Sequence, residues 1–244
     1  MPGKRSVGEG EHTVRSYDEE LTHLTNMISR MGGLAEAQLA AVIQAVARRD
    51  SDLAARVVAS DHKVDELEQE IYAWSVRMLA LRQPVAQDLR VIVTALKISG
   101  DIERMADLAS NIAKRAMVLD SLPPVSPVTG VPRLGHVVQS MVKDVLDAYV
   151  EMDVEKALKV RLRDGEVDEM YTSLVRELIT YMMEDPRTIT SCTHLLFMAK
   201  NIERIGDHAT NVAELIYFLI RGTTLKEARP KGDRTTEAES TKEG

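Results

Sequence analysis

One stretch of this chain occurs twice. Residues 101–111 read Asp-Ile-Glu-Arg-Met-Ala-Asp-Leu-Ala-Ser-Asn, and residues 201–211 read Asn-Ile-Glu-Arg-Ile-Gly-Asp-His-Ala-Thr-Asn. Six of the eleven positions are identical. Shared hydrophobicity would match aliphatic residues, but not a Glu, an Arg, an Asp and an Asn in register. A repeat at long spacing marks a duplicated structural unit. Its repeated polar residues are the natural seat of a function.

The units between these copies are helical. Ser16 with Glu19 reads as a capping box that opens a first helix running to about Arg49. Leu24, Ile28, Met31, Leu39, Val42 and Val46 keep helical spacing along it. Gly32-Gly33 weakens it by about 1 kcal/mol per Gly relative to Ala, and reads as a close-packing point or kink. Asp50 caps a second helix over 51–82, and Pro84 opens a third that runs to about Leu119. Four prolines and a glycine between Ser121 and Pro132 then break the pattern. It starts again with a fourth helix over 134–152. Asp153 caps a fifth over 154–183, and Pro186 opens a sixth over 186–222.

Short connections make sequential helices antiparallel. The fold expected is all-α, with two tandem three-helix bundles related by internal duplication. The boundaries are a disordered N-terminus over 1–15, a first bundle over 16–120, a Pro-rich linker over 121–133, a second bundle over 134–222 and a disordered tail over 223–244. Scarce aromatics, at 4% of residues, and abundant Ala, Leu, Glu and Arg agree with helix over sheet.

Several classes are disfavoured. A net charge of -7 argues against a general nucleic-acid binder. The longest apolar run, Leu215 to Ile220, is far short of the roughly 20 residues a bilayer needs, so a membrane is met only through partners. The single Cys192 has no intrachain partner, which suggests a reducing, cytoplasmic setting. No Gly-x-x-x-x-Gly-Lys nucleotide loop and no nucleophile with a base partner is seen, so the chain reads as no enzyme.

The chemistry that repeats is acidic. Each second helix carries an i, i+4 pair, Asp61 with Asp65 and Asp164 with Asp168. Each third helix carries another, Glu103 with Asp107 and Glu203 with Asp207. Such pairs share one helical face at an axial separation of about 6 Å. Asp65 lies 19 residues before Pro84 and Glu103 lies 19 after it. Asp168 lies 18 before Pro186 and Glu203 lies 17 after it. Equal distances from one turn mean equal height in an antiparallel pair. Four carboxylates brought together repel unless a cation sits among them. Oxygen ligands suit Mg, Ca, Mn or Fe, and Zn also accepts them. Asn111 and Asn211, one turn further along, either ligate or orient a carboxylate. Arg104 and Arg204 stand one residue off the face and can pair with the acids. His208 occurs in only one copy and reads as polar packing.

The segments Ile-Glu-Arg-Ile-Gly-Asp-His-Ala-Thr-Asn at 202–211, Gln-Pro-Val-Ala-Gln-Asp-Leu-Arg at 83–90 and Asp-x-x-x-Asp-Glu-Leu-Glu at 61–68 resemble the signatures of the PhoU family. The resemblance spans about residues 15–222. It implies paired three-helix bundles, often as homodimers, with multinuclear iron or zinc held through Glu/Asp-x-x-x-Asp pairs. Those pairs fall on Asp61, Asp65, Glu103, Asp107, Asp164, Asp168, Glu203 and Asp207. In the second copy Asp185-Pro-Arg-Thr-Ile replaces the 83–90 pattern, so the resemblance does not extend to equal metal affinity at the two sites. The implied role is a regulator that holds the phosphate-starvation response off when phosphate is plentiful. Its implied partners are the phosphate ABC transporter ATPase and a sensor histidine kinase. Two other readings stay open. One is a ferritin-like di-metal oxidase, for which Glu20 and His23 have Glu-x-x-His spacing. The other is a metal-free structural adaptor.

Overall fold

The computed structural model describes residues 8–125 and 129–225, and every regular element among them is helical. In order these are α1 (Gly8–Arg48), α2 (Ser51–Ser60), α3 (His62–Arg82), α4 (Ala86–Asp120), α5 (Gly130–Glu151), α6 (Val154–Leu162), α7 (Asp164–Glu184) and α8 (Ile189–Arg221). Residues 1–7, 126–128 and 226–244, and the side chains of residues 8–16, including the capping Ser16, lie outside the described residues, as do the expectations that fall on them.

Several boundaries move for local reasons. Helix α1 starts at Gly8, ahead of Ser16. The intervening sequence has no proline to stop a helix. Helix α5 starts at Gly130, because Pro132 falls in the first turn where no backbone N–H is needed. Pro84 precedes α4 instead of opening it. Pro186 opens a short 3-10 turn, Pro186–Thr188, that leads into α8. The Asp caps are where the sequence puts them. Asp50 accepts from the Leu53 amide at 2.8 Å, and Asp153 from the Lys156 amide at 3.0 Å.

The second and fifth helices are each broken once. At Asp61 the amide donates to Val58 and the carbonyl accepts from Val64, both three residues away. Arg163 does the same with Val160 and Glu166. A tight 3-10 step inside a helix often marks a functional position. Here it falls at the first acidic residue of the N-terminal set, Asp61, and one residue before that of the C-terminal set, Asp164. Asp61 keeps helical angles of φ -56 and ψ -45, so no Gly or Pro betrays the step in the sequence.

Helices α4 and α8 form the most extensive pairing and join the two bundles. Asp101 reaches His208, while Arg115 stacks on the Phe197 ring at 4.3 Å from its centroid. The crossing is therefore antiparallel. Helices α1 and α5 cross beside it, again antiparallel, with Gly32 against Leu146 and Gly135 against Ile43. The tandem bundles consequently share one continuous apolar core, running from Leu24 and Ile28 through Ile98 and Ile102 to Leu195 and Ile202. Arg49 closes the far end of the first bundle by donating to the carbonyls of Leu119, Asp120 and Leu122 at the end of α4.

Candidate metal centre

The start of α3 lies beside the middle of α4, and the N-terminal carboxylates meet there. Asp65 stands in the first turn of α3. Glu103 and Asp107 occupy successive turns of α4. Ligand oxygens of Asp65, Glu103 and Asp107 all lie within 4.8 Å of one another, and each residue is half-buried. The tight turn between the helices, with positive φ at Gln83 and Ala86, holds this register.

Electrostatics at the trio favour a cation. Burial pushes the Glu103 carboxyl above its ordinary value and Asp107 pushes it further, while Arg104 opposes. Burial also raises Asp61, with Ser110 opposing and Asp107 and Asp65 adding. Yet Asp61 Oδ1 and the Ser110 hydroxyl are both buried and neither has a partner in hydrogen-bond geometry. Arg104 reaches Glu103 at 3.4 Å and Asp107 at 3.5 Å, but its side chain is 62% exposed. An exposed pair of this kind contributes little.

The C-terminal set is built differently. Asp164, Asp168 and Glu203 are buried, each less than a tenth exposed. Asp164 accepts from the Thr210 hydroxyl at 3.2 Å. Lys200 donates to Glu203 Oε1 at 2.7 Å, and its ammonium lies 5.2 Å from the Tyr171 ring centroid. Burial raises the Glu203 carboxyl, Lys200 opposes, and Asp207 and Asp168 add. Glu203 Oε2 is left buried without a hydrogen-bond partner. Among the described residues, only the N-terminal trio meets the mutual 4.8 Å spacing.

The asparagines diverge as well. Asn111 is exposed beyond the N-terminal trio. The Asn211 amide nitrogen donates to Asp101 Oδ1 at 3.2 Å, across the junction of the halves. His208 Nδ1 meets the same oxygen at 2.8 Å. Asp101, Lys200, Tyr171 and Thr210 were all missed by sequence reasoning. For Lys200 a signal exists, since it stands three residues before Glu203 where the first copy has Gly100 before Glu103. The Glu20 and His23 pair is engaged elsewhere. Arg82 donates to both Glu20 oxygens at 2.7 and 3.0 Å, and His23 packs edge-on against Trp74 at 4.7 Å. Among the described residues no helix is long and apolar enough to cross a membrane.

Comparison with known proteins adds to this geometry. A family profile described as "PhoU domain" matches residues 28–116 and 131–216, one match per half. The phosphate-specific transport system accessory protein PhoU homolog of Caulobacter vibrioides (strain NA1000 / CB15N) is 56% identical over 224 residues, 91% of this chain and 97% of that protein. The phosphate-specific transport system accessory protein PhoU of Escherichia coli (strain K12) is 38% identical over 221 residues, covering 91% and 92%. The crystal structure of PhoU from Pseudomonas aeruginosa superposes with a TM-score of 0.83 at 40% identity, covering 85% of this chain and all of that one.

Proposed function

The chain belongs to the PhoU family, and on that premise we propose that it is an accessory regulator of phosphate transport on the cytoplasmic side of the membrane. In this reading it links the phosphate ABC transporter ATPase to a sensor histidine kinase and holds the starvation response off when phosphate is plentiful. The observation that carries the reading is the match over both halves and nearly the whole length of relatives named for phosphate transport. Exposed apolar side chains at the hairpin tips, Leu81 and Val85 on one and Met183 on the other, support a role in protein contacts, including a homodimer.

The same reading gives the N-terminal trio a cation. Asp65, Glu103 and Asp107 supply hard oxygen ligands, and the Asp61 carboxylate, whose Oδ1 has no partner in strict hydrogen-bond geometry, stands near enough to feel Asp65 and Asp107. That donor set fits iron, zinc, manganese or magnesium. A bound ion would cancel the repulsion among the carboxylates and tie α3 to α4. Its work would be structural, fixing helix register on a partner-facing surface. No observation favours the oxidase reading, because Glu20 and His23 already have protein partners.

The test is association. Tagged protein should retain the transporter ATPase and the kinase sensor domain from membranes of phosphate-replete cells. Deleting the gene should leave a starvation-responsive promoter active in high phosphate. Absence of both associations, with normal repression in the deletion strain, would refute the regulator reading.

A further inference from the structure

The two acidic sets are copies in sequence but differ in their cations: Arg104, 62% exposed, lies at 3.4 and 3.5 Å from two carboxylates of the first, while Lys200, 42% exposed, lies at 2.7 Å from one of the second. The position equivalent to Lys200 is Gly100, as Glu203 is equivalent to Glu103. The position equivalent to Tyr171 is Glu68, as Asp168 is equivalent to Asp65. We propose that the Lys200 ammonium is a built-in cation that takes the place of a metal ion in the C-terminal set, so that the N-terminal trio alone binds metal. The proposal rests on the metal reading of the trio and divides the two copies into an open site and a self-filled one.

Three observations carry it. Lys200 Nζ is 2.7 Å from Glu203 Oε1, within direct charge-assisted contact, and the Tyr171 ring lies beside the ammonium. The equivalent polar contact at the start of each site is also tighter in the C-terminal half than in the N-terminal one. Thr210 donates to Asp164 at 3.2 Å, whereas Ser110 stands near enough to Asp61 to oppose the rise of its carboxyl but outside strict hydrogen-bond geometry. The C-terminal set nevertheless keeps one vacant acceptor, because Glu203 Oε2 is buried and unpartnered on a residue only 7% exposed. The carboxylates there are latent ligands with a lysine in the way.

Gly100 makes the reciprocal change possible. A Cβ at position 100 meets no atom within 4 Å, so a side chain fits there. The experiment is titration of chelated protein with Mn²⁺ alone, read by calorimetry and by elemental analysis after desalting, with circular dichroism as a folding control. Wild type should bind at one site per chain, and Glu103→Gln should abolish it. Lys200→Ala should add a second site. Gly100→Lys should weaken the first at least tenfold, because its ammonium repels the ion and pairs with Glu103. Two equal sites in wild type, or no gain in a folded Lys200→Ala variant, would overturn the proposal and leave the metal reading standing. No Mn²⁺ bound by either protein would overturn the metal reading and the proposal with it.

Discussion

Gly32 of α1 packs against Leu146 of α5 so closely that a Cβ on residue 32 would stand 2.6 Å from Leu146 Cδ2. Neighbouring Gly33 is exposed and meets nothing within 4 Å. Only the first of the pair serves the joint between the halves. Gly32→Leu should therefore cost about 1 to 3 kcal/mol through overpacking, read by urea unfolding. Adding Leu146→Ala should recover part of that loss. Gly33→Ala should instead stabilise by up to about 1 kcal/mol, because Ala suits a helix better than Gly. Equal effects at the two glycines would contradict this packing.

Arg161 is held in the second bundle by Glu214. The side chain of Arg161 is 6% exposed, and its Nε donates to Glu214 at 3.2 Å. Removing one partner of a buried ion pair leaves a charge poorly compensated. Glu214→Ala should destabilise by about 2 to 3 kcal/mol, near the low end of the usual range because Glu214 is a third exposed. Combining it with Arg161→Met should restore much of the loss. A double variant no better than the single one would show that the guanidinium has adequate compensation without Glu214.

The raised Glu103 carboxyl sets a pH dependence in the metal-free protein. Burial and Asp107 disfavour its charged form. A carboxyl raised in the folded state contributes stability while protonated, and that contribution is lost as pH rises through the folded value. Chelated Glu103→Gln should thus melt higher than chelated wild type at about pH 7.5, and the gap should close towards about pH 4.5, near the ordinary glutamate value. With metal present the order at neutral pH should reverse. A variant that melts like wild type at both pH values would show that this carboxylate is under no electrostatic strain.

Chelation itself separates the metal reading from a metal-free adaptor. A ligand at about 100 times its dissociation constant stabilises the folded state by about 2.7 kcal/mol. For a chain of this size that is a melting shift of roughly 5 to 10 °C. Adding Mn²⁺ to chelated protein should raise the melting temperature by that order, and Asp107→Asn should abolish the shift. Identical melting with and without metal would favour the metal-free adaptor.

Much of the fold was legible because its signals are local or repeated. Asp50 and Asp153 carry their cap function in residue type alone. Counting from Pro84 places Asp65 and Glu103 at one height, and the two do come together. The step at Asp61 was invisible, since its backbone angles stay close to helical and no breaker marks it, whereas the one at Arg163 has a signal in the Asp164-Gly165 dipeptide that follows. The shared core was also hidden. Apolar spacing shows which face of α4 is buried, but not that α8 from the other half covers it. Asp101 with His208 was missed for the same reason, as it is a contact between helices about a hundred residues apart. At the candidate site, the match between copies revealed the carboxylates, while the mismatch at Gly100 and Lys200 drew no notice because a lysine near a helical glutamate is commonplace.

The most direct measurement is anomalous diffraction at the manganese edge from crystals of chelated protein grown with Mn²⁺. The account predicts a peak bounded by Asp65, Glu103 and Asp107. A well-ordered map with those carboxylates turned to water and no peak between them would contradict it.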